Sequence, residues 1–272
     1  MSGKAFLFKS ETGAAFDADY QARLDASTLA GHTLPSAPQQ ILQNQLMLDL
    51  KSAGVYAKAD RLGIFVNDGS KEFGYGDWKV PSVLYTDTGT GLVWTSDQHI
   101  AKPAGISTSL SIGYTPSTDA VNWGLNDAMV LVRWNGSSGT MGTDGGVIKG
   151  ANNGLIQSVP ATWLYDANFN CLVWINKSGS SNAFGNAYRN IVAFANGSIA
   201  IGMNTNTAYL FKNSVQITTV GQTPDGLTQR PILIHDSIAS GKDYQYLYAG
   251  AFLSASEQAD MEAAFQTYLA SI

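Results

Sequence analysis

The sequence predicts a mainly β fold: an antiparallel sandwich or barrel, led in by helices and closed by one. Three observations carry this expectation. From Ile106 to Tyr248, short apolar or alternating runs recur, separated by Gly, Asn, Ser and Asp. These runs do not alternate with helical patterns, which disfavours a parallel α/β sheet. Near both ends of the chain, apolar residues recur instead at helical spacing.

Met1–Ala15 has no long period and reads as an arm, or as a single strand at Ala5–Phe8. Phe16–Leu29 reads as a helix with Asp17 as N-cap, Tyr20 and Leu24 on one face, and Gly31 as its stop. Ser36 and Gln39 have the spacing of a capping box, with Pro38 in the first turn. Leu42, Leu46, Leu50 and Ala53 then form an apolar stripe, stopped by Gly54. Val55–Leu62 reads as another short helix, Ile64–Val66 as a strand and 67–70 as a turn. Glu72–Ala104 mixes Tyr75, Trp78, Tyr85 and Trp94 with Gly and Asp, and is expected to wrap along the sandwich.

The strands expected next are Ile106–Tyr114, Met129–Trp134, Gly146–Lys149, Gly154–Val159, Trp163–Tyr165, Leu172–Asn176, Asn190–Ala195, Ser198–Met203, Thr207–Lys212, Val215–Val220, Pro231–Ser237 and Tyr244–Ala249. Met129–Val132 is continuously apolar, which suits a strand buried on both faces. Asn196-Gly197 is the strongest hairpin signal. At the end, Ser254 and Glu257 form a capping box, and Met261, Phe265, Tyr268, Leu269 and Ile272 share a helical face.

Composition narrows the function. The 272 residues suffice for one large β domain. Charged residues are only 14% of the chain, about half the usual share, so the surface must be largely neutral and polar. The net charge is −5 and Lys and Arg do not cluster, which argues against a nucleic-acid groove. The single cysteine, Cys171, excludes an internal disulfide and reads as a small buried hydrophobe. No run approaches membrane-spanning length, and Ala5–Phe8, closed by Lys9, is too short for a signal-peptide core.

No catalytic centre is expected. Glu occurs only at positions 11, 72, 257 and 262, and the Asp residues of the strand region read as turn and loop residues with no alternate-position pair inside a strand, so the carboxylate pair of a glycosidase is not expected there. His32, His99 and His235 have no metal-binding spacing. The run Asp166, Asn168, Asn170 imitates a calcium loop but has Cys171 and Lys177 where glycine and a bidentate acid belong. Neither a metal nor a cofactor is therefore assigned. Aromatic faces stack on sugar rings. Trp78, between Asp77 and Lys79, and Trp123, in a polar loop, are the candidate glycan contacts, whereas Trp134 and Trp174 belong to apolar runs.

The stretch GYTPSTDAVNWGLNDA at Gly113–Ala128, followed by an apolar strand, resembles the concanavalin A-like (laminin-G-like) jelly roll of tailed-phage and prophage structural proteins. Tyr209–Ser214 is similar to that family's strand and turn written Tyr-Lys-Asn-Gly, with Ser214 in place of the glycine. Leu253–Glu257 and the helix after it are similar to its closing segment, and Gln39–Val66 resembles its helical preface. The resemblance implies an arm at 1–15, a helical lead-in at 16–66 and a jelly-roll sandwich at 67–272 with a closing helix at 254–271. It also implies a non-enzymatic virion protein of the tail, a fibre or the head surface, present in several copies and made in the bacterial cytoplasm. Its partners would be other virion proteins and a host-surface glycan, with Phe6, Leu7 and Phe8 as anchoring contacts. Members often bind calcium through loop Asp and Asn, for which Asp119, Asn126 and Asp127 are the available residues. The main alternative is a free or cell-surface carbohydrate-binding module; a glycan depolymerase is the third reading.

Overall fold

A strand that is apolar on both faces needs a cover on each, and the architecture follows from that need. The computed structural model describes residues 15–87, 91–95, 99–102, 109–135, 146–149, 156–167, 170–180, 182–185, 197–229, 231–235 and 242–272. Its helices are α1 (Ala18–Leu29), α2 (Ala37–Ser52), α3 (Val55–Lys58), α4 (Lys71–Tyr75), α5 (Pro116–Asp119) and α6 (Ala255–Leu269). Its strands are β1 (Ala59–Ile64), β2 (Thr86–Asp87), β3 (Val93–Thr95), β4 (His99–Lys102), β5 (Ser109–Ser111), β6 (Asp127–Asn135), β7 (Gly146–Lys149), β8 (Ile156–Ala167), β9 (Asn170–Ser180), β10 (Asn182–Gly185), β11 (Gly197–Asn204), β12 (Thr207–Lys212), β13 (Val215–Gly221), β14 (Leu233–His235) and β15 (Lys242–Gly250). One sheet has the order β13-β12-β11-β6-β15-β4-β3, with β1 also on β15; the other has the order β10-β9-β8-β7-β14-β5-β2. The fold is thus the expected mainly β sandwich with N-terminal helices and a C-terminal helix.

Strand β6 lies near the middle of the first sheet, between β11 and β15. Its Val130, Val132 and Trp134 enter the core between the sheets, where they meet Leu110, Ile175 and Ile234 of the second sheet. Its Met129 and Leu131 face the other way, into a core shared with Leu46, Leu50, Met261 and Phe265 of α2 and α6. The sheet is therefore the middle of three layers. Each large apolar side chain fully buried this way contributes roughly 1.5–3 kcal/mol. Helix α6 carries the expected capping box at Ser254 and Glu257, stacks Phe265 on Tyr246 at 3.9 Å, and sends the Tyr268 hydroxyl to the Val66 carbonyl at 2.7 Å.

Three local expectations change. The helix expected over Val55–Leu62 stops at Lys58, and Ala59–Ile64 is strand β1 on β15. Leu62 and Ile64 join the helix-side core, while Gly63 between them faces the rings of Phe65 and Tyr85. That period of two belongs to a strand. The chain passes so close to Gly250 that a Cβ there would lie 2.2 Å from the Lys58 carbonyl oxygen. Second, Ser36 stands at the α2 N-cap without a side-chain bond. Asp68 takes over instead: its carboxylate accepts from the Ser36 amide at 2.9 Å, and its own amide donates to Gln39 Oε1. Third, the two runs expected at Gly154–Val159 and Trp163–Tyr165 fall on one long strand, β8. The strand expected at Asn190–Ala195, Asn196 of the Asn196-Gly197 turn, the side chains of Cys171 and Trp174, and residues 1–14 of the arm lie outside the described residues.

Trp78 is the clearest correction. Its charged neighbours suggested exposure, yet its ring is fully buried and packs 5.6 Å from Tyr20. The reason is Asp77, which is itself buried and accepts from the amides of Leu62, Lys79 and Val80 and from the Tyr85 hydroxyl. Burial pushes the Asp77 carboxyl up to about 6, against the pull of those hydrogen bonds. An acid held this way marks a folded turn, and Trp78 follows it inward.

The β12–β13 hairpin turns through Asn213 and Ser214, both left-handed at φ 50° and 64°. Asn213 ties the turn to β11 through paired 2.9 Å bonds with the Ser198 backbone. Ser214 Oγ is buried without a partner. A left-handed L-residue costs about 1–2 kcal/mol, and added glycine freedom in the unfolded chain costs about 0.4–1 kcal/mol. Ser214→Gly should therefore stabilise the protein by about 0.5–1 kcal/mol in urea unfolding. A loss of stability would show that the serine hydroxyl holds the turn.

Candidate functional site

Among the described residues, the best-organised surface is the one built on Asp60 of β1. Asp60 is 4% exposed. Its Oδ1 accepts from the Asn122 amide at 2.8 Å; its Oδ2 accepts from the Trp123 amide at 2.9 Å, the Val121 amide at 3.3 Å and the Tyr114 hydroxyl at 2.7 Å. A carboxylate leaves water at a steep cost unless such donors replace its hydration. Arg61 completes the arrangement: its guanidinium donates to the Gly113 carbonyl at 3.1 Å and lies 5.0 Å over the Tyr114 ring. Burial, and then the Asp60 charge, hold the Tyr114 hydroxyl well above its ordinary range, so it stays a neutral donor. The polar loop after α5 is thus pinned from beneath.

Asn176 supplies a second pin. Between the Ala161–Lys177 and Trp163–Trp174 pairs, β8 advances two residues and β9 three. The extra residue makes a bulge, which re-aims side chains. Asn176 sits there, fully buried and left-handed at φ 53°. Its Oδ1 accepts from Trp123 Nε1 at 2.9 Å and from the amide and hydroxyl of Thr228 at 3.1 Å. Its Nδ2 donates to the carbonyls of Gly124 and Leu125 at 3.0 Å, and its own carbonyl accepts from the Asp225 amide at 3.1 Å. One buried amide therefore joins the loop at 115–127 to the segment at 222–228.

The β11–β12 hairpin is the third component. The Thr205 amide donates to the Asn126 carbonyl at 3.1 Å, and Gln222 donates to Asn206 at 3.0 Å. Thr205 and Asn206 form the two-residue turn at φ 45° and 60°. A β-branched residue in this region is strained. Above these bonds the surface exposes Val121, Leu125, Asn126, Asn204, Thr205 and Asn206. Of the acids at this end, Asp119 accepts from the Thr115 amide at 2.7 Å and Asp127 from the Phe252 amide at 2.7 Å, and Asp225 is exposed on the segment at 222–228. The surface offers short neutral amides and hydroxyls beside small apolar patches. Among the described residues, no group of three His, Cys, Asp or Glu side chains is placed to hold a metal ion.

Trp123 belongs to this site in a different role from the one expected. It is 3% exposed, packs edge-on to Tyr114 at 6.0 Å and directs its indole N–H inward to Asn176. It supports the loop and offers no face for stacking on a sugar. Trp78 lies in the helix-side core, so the two tryptophans do not form a shared platform. Phe6, Leu7 and Phe8 lie outside the described residues. Sequence reasoning missed Asp60, Asn176, Thr205 and Asn206. The Asn-Thr-Asn-Thr run between two strands was the available signal for the last two, whereas Asp60, between Lys58 and Arg61, reads as an ordinary charged residue.

No protein-family model matches the chain, and no curated protein matches it. Solved structures give partial likenesses. Domain 4 of a GH43 extracellular arabinanase from Geobacillus stearothermophilus, solved with arabinotriose, aligns over 75% of this chain and 98% of that one, with 15% identity and a TM-score of 0.42. A botulinum neurotoxin type C structure, described with two ganglioside molecules, aligns over 80% and 53%, with 11% identity and a TM-score of 0.49. A Trypanosoma rangeli sialidase aligns over 82% and 38%, with 9% identity and a TM-score of 0.46. The chain spans about half the length of the toxin chains it matches. The fold assignment here rests on the strand pairing and the layers themselves.

Asp60→Asn keeps the shape but places an amide donor among donors. Hydrogen bonds to a charged group contribute about 1.5–3 kcal/mol, and a buried unsatisfied group costs about 1–3 kcal/mol. The expected loss is about 2–4 kcal/mol in chemical denaturation, with the strongest NMR shifts at Val121–Trp123. Unchanged stability and unchanged amide shifts in that loop would refute the pinning role.

Proposed function

We propose that this chain is a non-enzymatic carbohydrate-recognition domain that binds a neutral glycan at the loop end pinned by Asp60 and Asn176. The observation that carries the reading is the loop end itself. Three segments are locked from below while short amide and hydroxyl groups face outward. Such groups exchange hydrogen bonds with sugar hydroxyls without desolvating a charge. A surface already ordered avoids much of the entropy cost of binding. The strained Thr205-Asn206 turn fits the same reading, because strain persists where the surroundings impose it and clusters at binding sites. The absence of any Glu between Phe73 and Ser256 supports binding without hydrolysis.

The sequence resemblance to tailed-phage structural proteins supplies a setting for that activity: display on a particle, facing a host glycan. It rests on Gly113–Ala128, Tyr209–Ser214 and Leu253–Glu257. Detection of the chain in purified particles bears on the setting, separately from the binding.

A glycan array probed with the full chain tests the binding reading. Saturable binding to at least one neutral glycan is expected. Thr205→Gly should keep or raise the melting temperature, because it relieves the turn, yet weaken binding at least tenfold by removing the side chain. Asn206→Ala should also weaken it. No glycan bound, or binding untouched by both changes, would refute the assignment.

A further inference from the structure

Leu125 is the apolar side chain at the centre of the loop end. It is 40% exposed, yet its backbone is fixed, because its carbonyl accepts from Asn176 Nδ2 at 3.0 Å. A loop pinned in this way cannot fold the side chain inward, so apolar area stays in water, where it is unfavourable. The same pinning lowers the entropy cost of any ligand that covers it.

Its neighbours are polar and neutral. The carbonyl of the next residue, Asn126, accepts from the Thr205 amide, which sets the β11–β12 turn beside it. Thr205 Oγ1 donates to Asn204 Oδ1 at 2.9 Å, so that hydroxyl is engaged within the turn. The carboxamides of Asn126 and Asn206 are exposed and form no hydrogen bond within the described residues. Each offers donors and an acceptor together. Trp123 beneath them is 3% exposed and turns its indole N–H to Asn176, so the apolar contact on offer from this loop is aliphatic. A flat sugar face is matched by an aromatic ring, whereas a branched aliphatic side chain matches a methyl group. The loop at 115–127 and the turn at 204–206 contain no Lys or Arg, and Asp119, Asp127 and Asp225 at this end disfavour an acidic sugar.

Resting on the glycan reading of this surface, we propose that the loop end selects N-acetylated neutral sugars. The acetamido methyl lies on Leu125, and the acetamido N–H and C=O exchange hydrogen bonds with the carboxamides of Asn126 and Asn206. The acetamido group joins a methyl to one donor and one acceptor, which is the combination these three side chains present. A hydroxyl in its place would leave Leu125 against water. The methyl of a 6-deoxy sugar would cover Leu125 but brings no amide to pair with Asn126 and Asn206.

The test presents the full chain with matched glycan pairs that differ only at C2: N-acetylglucosamine against glucose, N-acetylgalactosamine against galactose, and N-acetylmannosamine against mannose, each in the same linkage. One methyl in an enclosed apolar pocket changes selectivity roughly 10–200-fold, and an open surface lies at the low end of that range. At least one acetylated member should therefore bind about tenfold more tightly than its partner. In that pair, Leu125→Ser and Asn126→Ala should each lower the preference at least threefold, with the melting temperature and the affinity for the unacetylated member unchanged. Equal binding within every pair, or preference for the hydroxyl member, would overturn the acetamido assignment and leave the glycan reading standing. A preference that survives both substitutions would place the acetamido group away from Leu125 and Asn126 and overturn it too. No binding to any glycan would overturn the glycan reading itself.

Discussion

The buried carboxylate of Asp60 is the interaction on which the described surface depends. It sits on a strand of the main sheet and reaches a loop about 60 residues further along the chain (|i−j| of 61 to 63), offering its oxygens to three consecutive amides. Those amides would otherwise need water or another acceptor. Because Asp60 is carried by β1, the loop inherits the rigidity of a sheet. The same dependence runs backwards through the fold: β1 can lie on β15 only because Gly250 lets the Lys58 carbonyl pass.

The second constraint is β6, whose two apolar faces need covers. The second sheet covers one and the helices cover the other, so α2 and α6 are part of the sandwich core in energetic terms. This explains why the lead-in and the closing helix pack together although they lie at opposite ends of the chain. Gln43 Nε2 donates to the Tyr268 hydroxyl at 3.1 Å, and that hydroxyl donates in turn to Val66. The helices occupy the outer face of the first sheet, while the loop end stays open at the margin of the sandwich.

What the sequence made legible was local. The run at Met129–Val132, the stops at Gly31 and Gly54, the Asp17 cap and the Ser254–Glu257 box each depend on neighbours within a few positions. What it hid was long-range. The Ser36 box was displaced by Asp68, 32 positions away, and β1 became a strand because β15 offered it an edge. Trp78 and Trp123 looked exposed because their neighbours are polar, yet Asp77 and Asn176 are buried polar groups whose partners come from elsewhere. Thus the sandwich and its flanking helices were readable, whereas the candidate site was readable only as a loop. Its foundation needed three-dimensional neighbours to appear.

The most direct measurement of the central claim is native-state amide hydrogen exchange across 115–127. An exposed loop without buried acceptors exchanges at nearly the free rate, whereas amides bonded into a core wait for a larger opening. If Asp60 pins the loop, the amides of Asn122 and Trp123 are protected to nearly the level of Val130 and Val132 in β6. Rapid exchange at Asn122 and Trp123 while β6 remains protected would contradict the account.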